Sequence, residues 1–153
     1  RRGTRPCPRH PPAGRCARYA VDSIFTNDTG KALQSVAQHF SRAPTKDCHV
    51  LAAMNLKIRN QADACFSWTA DAFIGPYAIW DDEQDDARNF DWLKGFDPLL
   101  NPFAMGRYVN EIEGRNNPDR YRQCFTDANW QRLQSLRRQY DPNGVFHSYL
   151  GHS

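Results

Sequence analysis

The sequence predicts an α+β fold, in which an antiparallel sheet of about four strands has helices packed on one face and follows a disordered basic arm. Three successive stretches alternate as strands do and are joined by short links, which favours antiparallel pairing. Other stretches repeat apolar residues at helical spacing. The chain has 153 residues, of which 40% are apolar, and this is enough for one domain with a core.

The N-terminal arm, residues 1–18, carries four prolines and almost nothing large and apolar. Such a segment buries too little surface to offset its ordering entropy, so we expect it to be disordered. Cys7, His10 and Cys16 within it have no second ligand pair at zinc-finger spacing, so no metal site is predicted there.

Charge and hydropathy exclude several classes of function. Residues 1–20 hold six arginines and no acid, whereas the rest of the chain has 14 basic and 17 acidic residues, a net charge of −3. A nucleic-acid surface would have to lie within the arm, so no nucleic-acid partner is expected of the body. No apolar run approaches the roughly 20 residues of a membrane span, so no membrane partner is expected. The five irregularly spaced cysteines indicate buried thiols rather than a disulfide framework.

The first predicted elements are a short strand at residues 19–25 and a helix that follows good N-cap residues at 27–29. Pro44 ends the helix. Its apolar stripe has the spacing i, i+3, i+4 and i+7, and consists of Leu33, Val36, Ala37 and Phe40. His39 lies beside this stripe and is interpreted as a packed or surface residue rather than a ligand.

Three strands are predicted next. Residues 49–59 alternate cleanly, with apolar even-numbered residues on one face. Residues 64–70 form a second strand and residues 72–80 a third. Gly75-Pro76 interrupts the third strand, which predicts a bulge or a sheet edge at that point.

An acidic run at residues 81–86 follows the third strand. It does not match the EF-hand pattern, because the required glycine and final acid are absent. Carboxylates in the first turn of a helix favour its positive end, so the run is interpreted as the start of a helix that continues to Pro98. The buried side of that helix is predicted to hold Ala87, Phe90, Trp92 and Leu93.

Residues 106–113 are predicted to be a central strand. Alternation would place two sets of side chains on opposite faces: Tyr108, Asn110 and Ile112 on one, and Arg107, Val109 and Glu111 on the other. A phenol and an amide would then point the same way and could contact one ligand together.

The last predicted helix runs from Thr126, a natural N-cap, to Tyr140. Phe125 and Trp130 are spaced for a hydrophobic staple. The apolar stripe is predicted to consist of Trp130, Leu133, Leu136 and Tyr140. Residues 141–144, Asp-Pro-Asn-Gly, have the composition of a tight turn.

Three motifs give a resemblance to a known family: Tyr108-Val-Asn110, Asn129-Trp130-x-Arg132-Leu133, and the run from Tyr140 to Phe146. Together they resemble the C-terminal signature of FAD-linked oxidases of the berberine bridge enzyme type, although Trp130 stands where that family commonly has tyrosine. Residues 19–104 are similar to the substrate domain of that family, and residues 105–153 to its C-terminal segment.

The resemblance implies the C-terminal portion of an FAD-dependent oxidoreductase that acts on a small-molecule substrate. The family's FAD-binding domain has no counterpart in this sequence and would be the partner of this portion, so the chain alone would be inactive. Tyr108 would be the catalytic base that takes a substrate proton, and Asn110 would contact the flavin or its supporting shell.

Three alternatives stay open at this point. The chain could be a free-standing, non-catalytic α+β domain that binds a ligand or a partner. Tyr108 could be a core or interface tyrosine with a satisfied hydroxyl. The third alternative is an arginine arm that contacts phosphate, which would give strongly salt-dependent binding.

Overall fold

The computed structural model describes residues 17–54, 64–114 and 116–146. The arm at 1–16, with its cysteines and His10, and the last part of the strand predicted at 49–59 lie outside the described residues. Arg18, which the sequence assigned to the arm, is the first residue of a strand. Within the described ranges, no helix is both long and apolar enough to cross a membrane.

The described residues form four strands and four α-helices. The strands are β1 (Arg18–Val21), β2 (Ile24–Thr26), β3 (His49–Met54) and β4 (Ala72–Trp80), and the α-helices are α1 (Thr29–Phe40), α2 (Asp86–Lys94), α3 (Asp97–Leu100) and α4 (Asp127–Tyr140). Short 3₁₀ helices lie at Glu83–Asp85, Asn101–Phe103 and Pro118–Cys124.

The strand β4 is the centre of the sheet and pairs antiparallel with all three others. β3 lies along one edge of β4, with Leu51 opposite Gly75. β1 and β2 lie end to end along the other edge. Directly opposed residues share a face, so even-numbered residues of β4 point to one side of the sheet and odd-numbered residues to the other.

The predicted interruption at Gly75-Pro76 was wrong for β4, which continues through both residues. The interruption lies instead in the chain that pairs with one edge of β4, between β1 and β2. The N–H of Asp22 donates to the Pro76 carbonyl oxygen at 3.3 Å, but proline has no N–H to complete the pair. The ladder therefore stops at Asp22 and Ser23, which separate β1 from β2.

The core lies between the sheet and helices α1 to α3, so the predicted packing of helices on one face is confirmed. The buried residues of this face are Ala20, Ile24, Ala32, Val36, Cys48, Ile74, Ala78, Trp80, Trp92, Leu93, Phe96 and Leu100. The stripe predicted for α1 was partly wrong, since Ala32 is buried whereas Phe40 is exposed. His39 is packed as predicted and contacts the Trp92 carbonyl oxygen at 2.8 Å through Nε2.

The acidic run starts a helix, as predicted. Asp82 accepts a hydrogen bond from the Gln84 N–H, and Asp86 accepts hydrogen bonds from Arg18 and the Trp80 indole. No group of three metal-ligating side chains occurs among the residues that the structure describes. Cys48, Cys65 and Cys124 are free thiols, and burial raises the pKa of Cys124 to about 11.

The predicted strand at residues 64–70 was wrong, since this segment pairs with no strand. Its aromatic residues contact other elements instead. Phe66 meets Phe25 edge to face at 5.7 Å between ring centroids, and the Trp68 indole donates to the Gln123 carbonyl oxygen. The segment thereby lies over the sheet face opposite the helices.

The ends of α4 form as predicted, but its apolar stripe is not buried. Thr126 caps the helix by accepting from the Asn129 N–H, and the Phe125 and Trp130 rings lie 5.8 Å apart. The helix has no buried residue. The turn that follows it places Gly144 at φ 61°, a left-handed conformation that favours glycine.

Candidate functional site

The face of the sheet opposite the helices carries an open apolar cavity of about 310 Å³. Its lining residues are Phe25, Leu51, Ala53, Phe66, Phe73, Tyr108 and Glu111. Gly75 lies opposite Leu51 in the floor of this face, and the rings of Phe73 and Tyr77 flank it. The two rings fill the space over this buried glycine, where an added Cβ would lie 3.0 Å from the Phe73 ring.

Tyr108 lies at this cavity and is half-buried. Its ring meets three phenylalanine rings edge to face, with centroid distances of 6.4 Å to Phe25, 6.3 Å to Phe66 and 6.2 Å to Phe73. Such pairs fix the orientation of a ring. The phenol therefore belongs to the open face of the sheet rather than to the main core between sheet and helices.

The strand predicted at residues 106–113 was wrong. Only Gly106 forms an isolated bridge, with Phe25, and the chain then turns at Val109 and Asn110. The turn is closed by the Glu111 N–H, which donates to the Tyr108 carbonyl oxygen at 3.0 Å. Strict alternation of side chains therefore ends at Tyr108.

The hydroxyl of Ser23 holds this turn against the sheet. It accepts a hydrogen bond from the Tyr108 N–H at 3.2 Å and donates to the Glu111 carbonyl oxygen at 2.6 Å. Ser23 is buried in the gap between β1 and β2. The gap that Pro76 creates in the ladder thus supplies the group that positions the turn.

Tyr108 and Asn110 contact each other, and a turn rather than the predicted strand alternation brings them together. The Asn110 side-chain nitrogen Nδ2 donates to the Tyr108 hydroxyl oxygen at 3.0 Å. An N–H donated to a phenol oxygen favours the phenolate, which is the form of the side chain that can accept a proton. The pair can therefore assist the removal of a proton from a ligand.

Glu111 is the site residue that the sequence analysis missed. Alternation placed it on the face opposite Tyr108, but the turn brings it to the same cavity. Its carboxylate lies close enough to the Tyr77 hydroxyl to affect the pKa of that hydroxyl. Burial first, and this carboxylate second, raise the pKa of Tyr77. Asn110, a residue that tolerates turns, is the one signal in the sequence that could have indicated this.

Arg107 anchors the same segment on the helix side of the sheet. Its guanidinium is buried and donates to Asp22 at 2.8 Å, to the Gln123 side chain at 2.7 Å and to the Asn101 side chain at 2.6 Å. Arg120 pairs with Asp22 as well. Arg107 and Tyr108 thus point to opposite sides of the sheet, and the buried ion pair fixes the point from which the phenol projects.

No family model and no curated protein matches the sequence. Solved structures, however, share its fold. One is CrmK, a flavoenzyme involved in the shunt product recycling mechanism in caerulomycin biosynthesis; the TM-score is 0.71 at 18% identity, over 90% of this chain and 32% of CrmK. GilR, an oxidoreductase that catalyses the terminal step of gilvocarcin biosynthesis, matches with a TM-score of 0.68 at 22% identity, over 86% of this chain and 32% of GilR. Physcomitrella patens BBE-like 1 matches with a TM-score of 0.70 at 13% identity, over 88% of this chain and 31% of that protein.

The chain spans about a third of the length of these three proteins. Its fold is that of a portion of a flavoenzyme chain, which is what the resemblance to FAD-linked oxidases predicted. Identities of this size establish a shared fold, and the chemistry has to be argued from the residues at the site.

Proposed function

We propose that this chain is the substrate-side portion of an FAD-dependent oxidoreductase and that Tyr108 is its catalytic base. The observation that carries the proposal is the Tyr108 phenol, held by Asn110, at an uncovered apolar sheet face. In this proposal FAD is held mainly by a partner domain that the chain does not contain, so the chain alone is inactive.

The open face suits a flat aromatic cofactor. Its lining is apolar apart from the Tyr108 phenol and the Glu111 carboxylate. When bound there, the flavin would accept a hydride from the substrate. Tyr108 would take the accompanying proton in its phenolate form and become a neutral phenol, and the Asn110 amide, which donates to the same oxygen, would stabilise that phenolate before the transfer. Asn110 is also the candidate for contact with the flavin or its supporting shell.

The C-terminal part of the chain supports the existence of a partner domain. Tyr140, Val145 and Phe146 are 71%, 79% and 70% exposed; Tyr140 ends α4, a helix with no buried residue, and the other two follow it. Apolar side chains grouped in this way mark a surface that another domain or protein covers. The cavity at Tyr108 leaves room for a small-molecule substrate, because ligand cavities have volumes of about 300–1,000 Å³.

Flavin binding tests this proposal. The protein encoded by the longest reading frame that contains this chain should be purified and its absorbance spectrum recorded after desalting. We expect bound flavin in that protein, and none retained by residues 1–153 alone after incubation with FAD. A longer protein that folds without flavin, or stoichiometric flavin on the isolated chain, contradicts the proposal.

The role of Tyr108 is tested in the flavin-containing protein by Tyr108→Phe. Loss of general-base catalysis typically slows the proton-transfer step by about 10²–10⁴-fold. We expect this loss in the rate of anaerobic flavin reduction by substrate, with substrate affinity retained. The control is Tyr140→Phe, which alters an exposed phenol far along α4 and should leave the rate unchanged.

A further inference from the structure

We propose that the cavity on the open sheet face binds an organic ammonium ion with an apolar ring, and that Glu111 holds its cationic nitrogen. That this ligand is the substrate of an oxidoreductase rests on the proposed function. Binding itself requires only residues of this chain.

The charge of the cavity points to a cation. Among the described residues that line it, Glu111 is the one charged side chain, and the others are aromatic or aliphatic apart from the Tyr108 phenol. The nearby arginines, Arg107 and Arg120, pair with Asp22 on the other side of the sheet. A carboxylate in apolar surroundings attracts a cation more strongly than it does in water and repels an anion.

The carboxylate has acceptor capacity for such a ligand. An ionised carboxylate offers roughly four acceptor positions. Tyr77 has a single hydroxyl proton and can therefore satisfy at most one of them. A protonated amine is a donor that gives a charge-assisted hydrogen bond, which is stronger than the neutral bond that an alcohol would give.

The aromatic walls favour the same class of ligand. Phe25, Phe66 and Phe73 surround the Tyr108 ring at the cavity, and together they provide an apolar environment for a ring-sized body. Aromatic faces also attract cations, with Tyr and Phe among the rings that do so. The ring of the ligand and its charge thus both have complementary groups.

The carboxylate is preorganised. The Ser23 hydroxyl fixes the backbone of Glu111, and thereby the point from which its side chain reaches the cavity. A group held in place before binding loses little conformational freedom when the ligand arrives, which raises affinity.

The test measures binding of three matched probes to the purified chain by ¹H–¹⁵N NMR at neutral pH: 2-phenylethylammonium, 2-phenylethanol and 3-phenylpropionate. We expect the ammonium to bind about tenfold more tightly than the alcohol, since a charge-assisted bond replaces a neutral one. We expect the carboxylate to bind most weakly. For a probe that binds, the chemical-shift changes should centre on the amides of Leu51 and Ala53, which line the cavity. Equal affinity for the three probes, or no binding of the ammonium at millimolar concentration, overturns the proposal.

Variants assign the effect to Glu111. In Glu111→Gln the preference for ammonium over alcohol should disappear. Glu113→Gln is the matched control, because that carboxylate accepts hydrogen bonds from Asn116 and Asn117 and does not line this cavity, so the preference should persist. Tyr77→Phe keeps the carboxylate and should also retain the preference. A preference that survives in Glu111→Gln overturns the assignment. If that variant does not fold, the order of the three probes on the wild-type chain decides.

The two proposals fail separately. Ammonium binding by the chain, together with a longer protein that folds without flavin, would leave an amine-binding domain that is not an oxidoreductase. Flavin in the longer protein, together with equal affinity of the chain for the three probes, would leave the oxidoreductase and remove the amine.

Discussion

Ser23 and Glu111 are joined by a hydrogen bond of 2.6 Å from the serine hydroxyl to the glutamate carbonyl oxygen. This bond connects an interruption in the sheet to the turn that carries the candidate site. The interruption follows from Pro76, whose missing N–H leaves the ladder incomplete opposite Asp22. One proline thus determines where two polar residues leave the sheet ladder. Asp22 accepts a hydrogen bond from Arg107, and the Ser23 hydroxyl accepts one from the N–H of Tyr108, where the turn begins.

Ser23→Ala should destabilise the fold by about 1–3 kcal/mol, because it leaves a buried N–H and a buried carbonyl without their shared partner. Urea unfolding measures this free energy. Hydrogen exchange of the Tyr108 amide should accelerate as well, since that amide donates to the lost hydroxyl. Ser41→Ala, at an exposed serine after α1, is the control and should change stability by less than about 0.5 kcal/mol. Equal effects of the two substitutions would contradict the role of Ser23.

Arg107→Met should be strongly destabilising, by about 3 kcal/mol, because it removes one partner of a buried ion pair and leaves Asp22 with less compensation. Both side chains are only about 5–6% exposed, so water cannot replace the lost partner. Chemical denaturation gives the free energy of unfolding.

The matched control for Arg107 is Lys31→Met. Lys31 pairs with Asp28 at the surface, where water and salt screen the charges, so we expect no measurable change. If both variants unfold at the same denaturant concentration as the wild type, Arg107 does not anchor the segment.

Gly106→Ala should destabilise by about 1–3 kcal/mol, because an added Cβ would overlap the Trp68 indole ring, which is held by its bond to Gln123. The displaced indole should change the tryptophan fluorescence spectrum. Gly30→Ala is the control, since nothing lies within 4 Å of its added Cβ and alanine is favoured in a helix by about 0.5–1 kcal/mol. A Gly106 variant as stable as the Gly30 variant would show that the indole does not pack on this backbone.

The regular elements could be predicted from the sequence because periodicity reports burial on one side. Alternation at residues 49–54 gave β3 with its faces assigned correctly, and the composition of 126–144 gave α4 with its cap and turn. The strand predicted at 64–70 failed for a physical reason. Aromatic residues suit a strand, but here the Phe66 ring packs on Phe25 and the Trp68 indole donates to the Gln123 carbonyl oxygen, while the backbone of the segment pairs with no strand.

The candidate site could be predicted only in part. Tyr108 and Asn110 came from a motif, and they meet. Glu111 could not be assigned to the cavity from the sequence, because its position depends on a turn that the distant Ser23 holds against the sheet. Alternation concerns neighbours along the chain and does not predict such a long-range contact. The same holds for the pairing of Arg107 with Asp22, which lie 85 residues apart.

The Tyr77 hydroxyl should still hold its proton at a pH at which an ordinary tyrosine has lost it. Burial and the Glu111 carboxylate raise its pKa above the ordinary value of about 10, so the native state keeps a proton that the unfolded chain releases. The stability that this group contributes is present below pH of about 10 and is lost as pH rises further through the native pKa. Glu111→Gln removes the carboxylate and should lower the pKa of Tyr77, whereas Glu113→Gln should not. NMR titration of ¹³Cζ-labelled tyrosine measures each hydroxyl separately, and a Tyr77 pKa that is the same in Glu111→Gln as in the wild type would show that Glu111 does not contact it in solution.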